Sequence, residues 1–246
     1  MNSVEYLILG HGQTALALSQ KIKEQKPQSS CVSTSRQGPP HVLFNLEDDS
    51  TWANLPKAQY TFWTFPPSPL DWVQEFYKSH HEKLGHWIVV GSTSALTVSV
   101  KNEWVNEKTP LDLSIERVQA EKYLMDHGAT LILSSGIYGS GRSPLQWVEM
   151  GYVGKSSKYV NMVHVDDLAS FLFQATKKGK KGELYIASNN HPEQWQEIIE
   201  NWESRGLVQN VLHKESSRAS KRIDNSWSIA ELGVKLQYPH FADSIS

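Results

Sequence analysis

The stretch YLILGHGQTALALSQKI, residues 6–22, constrains the fold more than any other part of the chain. An apolar run stops at Gly10, a second glycine follows at Gly12, and Ala15, Leu18 and Ile22 then recur at helical spacing. A strand, a tight turn and a helix in that order open a βαβ unit, whose strands lie parallel because the helix crosses between them. Further short apolar runs follow at 30–33, 41–44, 60–64, 87–90 and 130–133. None alternates cleanly between apolar and polar, as expected of strands covered on both faces. The segments between them carry helical periodicity. In PPSPLDWVQEF, Ser68 is expected as N-cap, Pro69 at the first helical position and Asp71 as capping partner, ahead of an apolar face of Trp72, Val73, Phe76 and Tyr77. The pattern predicts an α/β fold with a doubly wound parallel sheet.

A chain of 246 residues suffices for one large domain or a domain with a smaller lobe. Its 24 basic and 26 acidic residues give a net charge of -2, so nothing pulls it toward nucleic acid or a membrane surface. One cysteine, Cys31, excludes an intrachain disulfide and a thiolate zinc cluster and fits a reducing cytoplasm. The start of the sequence enters the first strand pattern without a leader-like segment. No later run approaches the roughly 20 apolar residues of a membrane span. The expectation is a cytoplasmic protein, monomeric or homodimeric, without metal. Most of the nine tryptophans are expected in the core or between lobes.

After Gly136 the pattern changes. GIYGSGRSPLQWVEMGYVGKSSKYV is rich in Gly and Ser, and HVDDLASFLFQAT reads as a helix capped by Asp166 or Asp167. ELYIAS is a further strand. HPEQWQEIIENW places Trp195, Ile198, Ile199 and Trp202 on one helical face after Pro192, and NSWSIAELG ends at Gly233 as a C-cap. Residues 1–136 therefore read as mainly dinucleotide-binding. Residues 137–246 read as a small C-terminal substrate lobe from which 165–187 return to the sheet, all in one unit spanning 1–246.

Gly10-His11-Gly12-Gln13-Thr14-Ala15 fits G-x-G-x-x-A. Gly10 permits the turn, Gly12 lets backbone approach a pyrophosphate, and Ala15 keeps helix and sheet close; the helix N-terminus offers free N–H groups and a positive dipole end. An NAD site usually carries Asp or Glu about 20 residues beyond the glycines for the ribose diol. Here no carboxylate occurs between Gln25 and Leu46, and STSRQ ends the second strand instead. Arg36 can pair with a 2′-phosphate, with Ser33 and Ser35 donating, or it is an ordinary solvated charge. The missing carboxylate favours NADP over NAD.

With GHGQTA, VVGSTSA, NEKTP, GIYGSGRSPL, HVDDLA and KRIDNSWSIAELGVKLQYPHF in this order, nearly the whole chain resembles the short-chain dehydrogenase/reductase superfamily, in its extended, nucleotide-sugar epimerase-like branch. The resemblance implies a Rossmann-type sheet with a substrate lobe. It also implies hydride transfer between nicotinamide and a substrate carbon bearing oxygen, with a Ser or Thr positioning that oxygen and a Tyr-x-x-x-Lys pair handling the proton. Ser92 then takes the positioning place with Thr93 beside it, although a hydroxyl closing the fifth strand explains Ser92 equally. Counting back from Glu121 puts Arg117 at the Lys position and Leu113 at the Tyr position. Leu113, Arg117, Ala120 and Leu124 are expected on one helical stripe. Arg117 there needs a partner, either cofactor ribose or phosphate or else Glu107 or Glu121.

Several smaller signals have two readings. Tyr138 is a stand-in acid or a lobe-packing residue, and Arg142 is a contact for a substrate phosphate. His164 reads as structural. His80, His81 and His86 cluster at a helix end without the carboxylates a metal would want. The basic segments KKGKK and HKESSRASKR read as a solvated turn and a surface loop, the latter able to meet a phosphate-bearing small-molecule substrate. Two functional expectations follow. The first is an atypical NADP(H)-dependent oxidoreductase acting on a nucleotide sugar or another small hydroxyl or carbonyl compound, with Ser92, Thr93, Arg117 and Tyr138 at its centre. The second is a non-catalytic NADP-binding sensor.

Overall fold

The computed structural model describes residues 3–214 and 220–244. Seven strands form one sheet: β1 (Ser3–Leu9), β2 (Cys31–Ser35), β3 (Val42–Leu43), β4 (Lys57–Trp63), β5 (His86–Ser92), β6 (Thr130–Ser134) and β7 (Leu184–Ala187). Their order is β3-β2-β1-β4-β5-β6-β7, and every pairing is parallel. The chain winds outward from β1 through β2 and β3, then returns to lay β4 on the other side of β1. That reversal makes a crevice at the carboxyl ends of β1 and its neighbours.

β1 shows why the strands lack alternation. Leu7 and Leu9 enter a core shared with α2 (Leu70–His80) and α3 (Glu116–Asp126), while Tyr6 and Ile8 enter a second core under α1 (Gln13–Gln25) and α5 (Val165–Lys178). Both faces are dry, so both sets of side chains must be apolar. α4 (Pro144–Glu149), α6 (Trp195–Ser204) and α7 (Ser226–Leu232) belong to the second half. A third core there gathers Tyr138, Met162, Trp195, Trp202 and Phe241, with Trp202 Nε1 donating to the Ala242 carbonyl at 2.9 Å. Three two-stranded ribbons complete the lobe, among them the parallel pair Glu103–Val105 and Lys221–Ile223.

Three helix starts differ from expectation. α2 is capped by Pro69, not Ser68: Pro69 stays extended at φ -72°, ψ 157°, so the helix begins one residue later without a side-chain cap. Its first N–H, on Leu70, donates instead to Glu116 Oε1 of α3 at 3.0 Å. α5 is capped by His164, whose Nδ1 accepts from the Asp166 N–H at 3.3 Å. Asp167 turns inward and accepts from the N–H groups of Gln237 (2.8 Å) and Tyr238 (3.0 Å). α3 starts only at Glu116, so Leu113 precedes the helix, lies exposed, and is not on the stripe of Arg117, Ala120 and Leu124. α6 follows its predicted face, and α7 ends as expected at Gly233, which has φ +64°.

Candidate functional site

The glycine loop is held from both sides. Gly10 has φ +111°, and a Cβ there would stand 2.7 Å from Thr64 Oγ1, so only glycine fits. Its N–H donates to Thr34 Oγ1 of β2 at 2.9 Å, and Thr64 Oγ1 after β4 donates to the Leu9 carbonyl at 2.8 Å. Gly12 differs: a Cβ there meets nothing within 4 Å. It caps α1 without any side-chain hydrogen bond, so the first N–H groups of a thirteen-residue helix have no side-chain partner at the cap. That is a cradle for an anion, and the residues fit a pyrophosphate. Thr14 is buried at the start of α1, while the Gln13 side chain spans to the second half, Nε2 donating to the carbonyls of Ser140 (2.7 Å) and Gly139.

A cavity of about 550 Å³ opens beside the loop. Gly10, His11, Ser35 and Arg36 line it. Arg36 is exposed, and Ser35 Oγ accepts from the Gln37 N–H at 3.1 Å. Ser33 points elsewhere, its Oγ 2.9 Å from His41 Nδ1. Phe44, Leu46 and Phe65 form an apolar wall that suits a planar base. The sequence reading missed this wall, though Phe44 at the end of the run 41–44 and Leu46 and Phe65 just past the runs at 41–44 and 60–64 were its signal. A groove of about 570 Å³ in the lobe, lined by residues from 148–154 and 206–214, is as large but includes no part of the glycine loop.

At the end of β5, Ser92 Oγ accepts from the N–H (3.2 Å) and the hydroxyl (3.1 Å) of Ser94. Arg117 Nη2 donates to Ser94 Oγ at 3.1 Å, and Nη1 donates to Glu121 Oε1. Glu121 is fully buried, and burial pushes its carboxyl up to about 7 against the opposing pull of Arg117. A Cβ at Gly91 would fall 2.9 Å from that carboxyl, so the glycine makes the space Glu121 occupies. Of the two carboxylate partners foreseen for Arg117, Glu121 is the one found. Glu107 instead accepts from the Ser228 hydroxyl. The structure thus joins Ser92 and Arg117 through Ser94, which the sequence reading did not single out.

Lys221 was missed as well. Its Nζ donates to the Thr93 carbonyl and, at 3.5 Å, to that of Leu96; burial pushes the amine down to about 8, with Glu103 opposing. Its neighbour Arg222 lays its guanidinium over Trp104 (4.8 Å) and Tyr159 (5.4 Å). Both belong to the basic segment HKESSRASKR, of which 215–219 lie outside the described residues.

Tyr138 does not line the cavity beside the glycine loop. It is buried in the lobe core, edge-on to His164 (5.0 Å) and Phe241 (4.9 Å), and burial pushes its hydroxyl up to about 12. A phenol that holds its proton this tightly is a weaker acid than a free one, and its burial fits the lobe-packing reading. His164 stacks on Tyr238 at 3.7 Å, and Arg142 is exposed. His80 packs on Phe76, His81 Nδ1 lies near the Tyr77 and Lys78 carbonyls, and His86 meets Thr130 Oγ1 at 2.9 Å; no group of three metal-ligating side chains occurs among the described residues. No helix among them is long and apolar enough to cross a membrane.

No family model and no curated protein matches the sequence. Solved structures do match. A functionally unknown conserved protein from Silicibacter pomeroyi is 21% identical over 98% of this chain and 96% of its own, with a TM-score of 0.74. MoeE5 in complex with UDP-glucose and NAD is 13% identical over 97% and 95%, with a TM-score of 0.79. The UDP-N-acetylglucosamine 4-epimerase from Bacillus cereus is 14% identical over 98% and 94%, with a TM-score of 0.76. The fold is the doubly wound Rossmann type. The likeness runs through both halves of the chain, so the lobe belongs to the shared architecture as much as the sheet does.

Proposed function

We propose that this chain binds a nicotinamide dinucleotide, preferring NADP(H) to NAD(H), and acts as an atypical oxidoreductase on a nucleotide sugar or another small hydroxyl or carbonyl compound. The observation that carries the reading is the uncapped α1 N-terminus at Gly12, next to a cavity on which Gly10 and His11 of the same loop meet an exposed Arg36. Gly10, Gly12 and the first N–H groups of α1, at Gln13 and Thr14, hold the pyrophosphate, while Arg36 and Ser35 meet a 2′-phosphate. When bound, the dinucleotide supplies a hydride donor or acceptor. Ser92 and Ser94 offer hydroxyls to the substrate oxygen, and Arg117, fixed by Glu121, holds a permanent positive charge beside them. Thr93 is buried and acts through its carbonyl, which ties the turn to Lys221. Arg222 offers a guanidinium to a phosphate-bearing substrate. The solved structures with UDP-glucose and NAD, or named as an epimerase, support this choice of substrate class.

Calorimetric titration with NADP+ and NAD+ tests the cofactor assignment. Arg36→Ala should weaken NADP+ by roughly 10- to 100-fold, the worth of a lost charge-assisted hydrogen bond, and leave NAD+ nearly unchanged. Equal weakening of both would remove Arg36 from phosphate recognition. NADPH turnover against nucleotide sugars tests the chemistry. A second reading, a non-catalytic sensor, is favoured by the burial of Tyr138 and by the engagement of Arg117 in an ion pair. It requires NADP+ and NADPH to shift the melting temperature by different amounts, with no turnover.

A further inference from the structure

Two histidines meet beside the dinucleotide cavity, and the reading above uses neither. His11 lies between the two glycines of the loop, exposed, and lines the cavity with Ser35 and Arg36. His41 comes from the segment just before β3. The two rings are 3.6 Å apart between centroids and inclined by 36°. Ser33 Oγ, 2.9 Å from His41 Nδ1, fixes the second ring from β2. Ser33, His41 and His11 thus run in sequence from the sheet to the cavity wall. The charged groups lining that cavity are Arg36 and Glu47.

Imidazoles this close repel each other when both are protonated, and a pair carrying one proton does not. A phosphate dianion nearby favours the protonated ring. We propose that His11 and His41 form, with Arg36, the element that selects a phosphate on the adenosine ribose: His11 contacts the phosphate, and His41, held by Ser33, positions His11. This rests on the dinucleotide reading and adds a consequence that Arg36 alone does not have. Arginine is charged throughout, so it binds phosphate without exchanging protons. The histidine pair takes up protons as the phosphate binds. The phosphate's own titration works in the opposite direction, because cations favour its dianion and release protons. The sign of the exchange therefore separates the two.

The experiment is calorimetric titration of the full chain with NADP+ and with NAD+ near neutral pH, in two buffers of different ionisation enthalpy. Proton uptake with NADP+ and none with NAD+ is expected. His11→Asn should abolish the uptake and weaken NADP+ about tenfold, with NAD+ unchanged. His41→Asn should reduce the uptake while keeping part of the affinity, and Arg36→Ala should lose affinity yet keep the uptake. Matching melting temperatures for the variants show that their folds are intact. Proton release with NADP+, or the same uptake in His11→Asn, overturns the proposal. Binding of neither dinucleotide by the wild-type chain overturns the cofactor reading itself, a result distinct from NADP+ binding without uptake.

Discussion

At the scale of single residues, the pair Arg117–Glu121 concentrates the tension in the site. Glu121 is buried without exposure, and its second oxygen, Oε2, has no hydrogen-bond partner, so Arg117 is the group that makes its charge tolerable. Arg117→Ala leaves that carboxyl alone in the core. Breaking a fully buried pair costs about 3–5 kcal/mol. Arg117 keeps 19% of its side chain exposed, so a loss of roughly 1–3 kcal/mol in urea denaturation is the expected outcome. The same carboxyl sets a pH slope. Its folded pKa, about 7, lies above the ordinary 4.5, so the folded state binds the proton more tightly than the unfolded chain. The stability this gives is full below the unfolded value and is lost as pH rises through the folded one. Glu121→Gln should flatten the stability profile across that window, measured as unfolding midpoints at several pH values. An unchanged slope would assign it to other groups.

At the scale of elements, the seven strands were legible because burial on both faces leaves continuous apolar runs, and each run became a strand. Even the two-residue β3 lies inside its predicted run. The caps were less legible. Ser68 and Asp166 satisfy the residue preferences of an N-cap, but a preference says nothing about what else competes for the position. A tertiary partner decided the first case, where Glu116 reaches across from α3 to Leu70, and a local competitor the second, where His164, directly before α5, takes its cap. Leu113 was misplaced for a related reason. Counting back by four assumes that the helix continues, whereas the chain bends at Asp112 and Ser114 and the helix starts at Glu116. Asp167, read from sequence as a cap, proves to be the anchor between α5 and the C-terminal segment. Asp167→Ala strands two N–H groups, on Gln237 and Tyr238, and should cost about 2–4 kcal/mol. Asp167→Asn keeps an acceptor and should lose about half as much. Equal losses in thermal or urea unfolding would show that the acceptor is not what matters.

At the scale of the whole molecule, the change of pattern after Gly136 carried no sign of how the second half is fastened near the β5 end. Hydrogen bonds between residues more than 100 positions apart do that fastening, and no local pattern encodes them. Lys221 reaches the 93–96 turn, Gln13 reaches Gly139 and Ser140, and Ser228 reaches Glu107. Lys221 is the one with a titration to follow. Its amine is depressed to about 8 from 10.5 because burial disfavours the charge. The folded state therefore gives up its proton before the unfolded chain does. The cost of burying the charge is present below the folded value and is relieved as pH rises from about 8 toward 10.5. Lys221→Met removes that slope, and it also leaves the Thr93 and Leu96 carbonyls without their lysine donor. The turn that carries Ser92 and Ser94 then loses its hold on the lobe. The expected result is faster hydrogen exchange in residues 93–97 and in the paired strands 103–105 and 221–223, with α1 and β1 unaffected. If exchange rises throughout the sheet instead, Lys221 stabilises the fold at large and does not act as a local fastening of lobe to site.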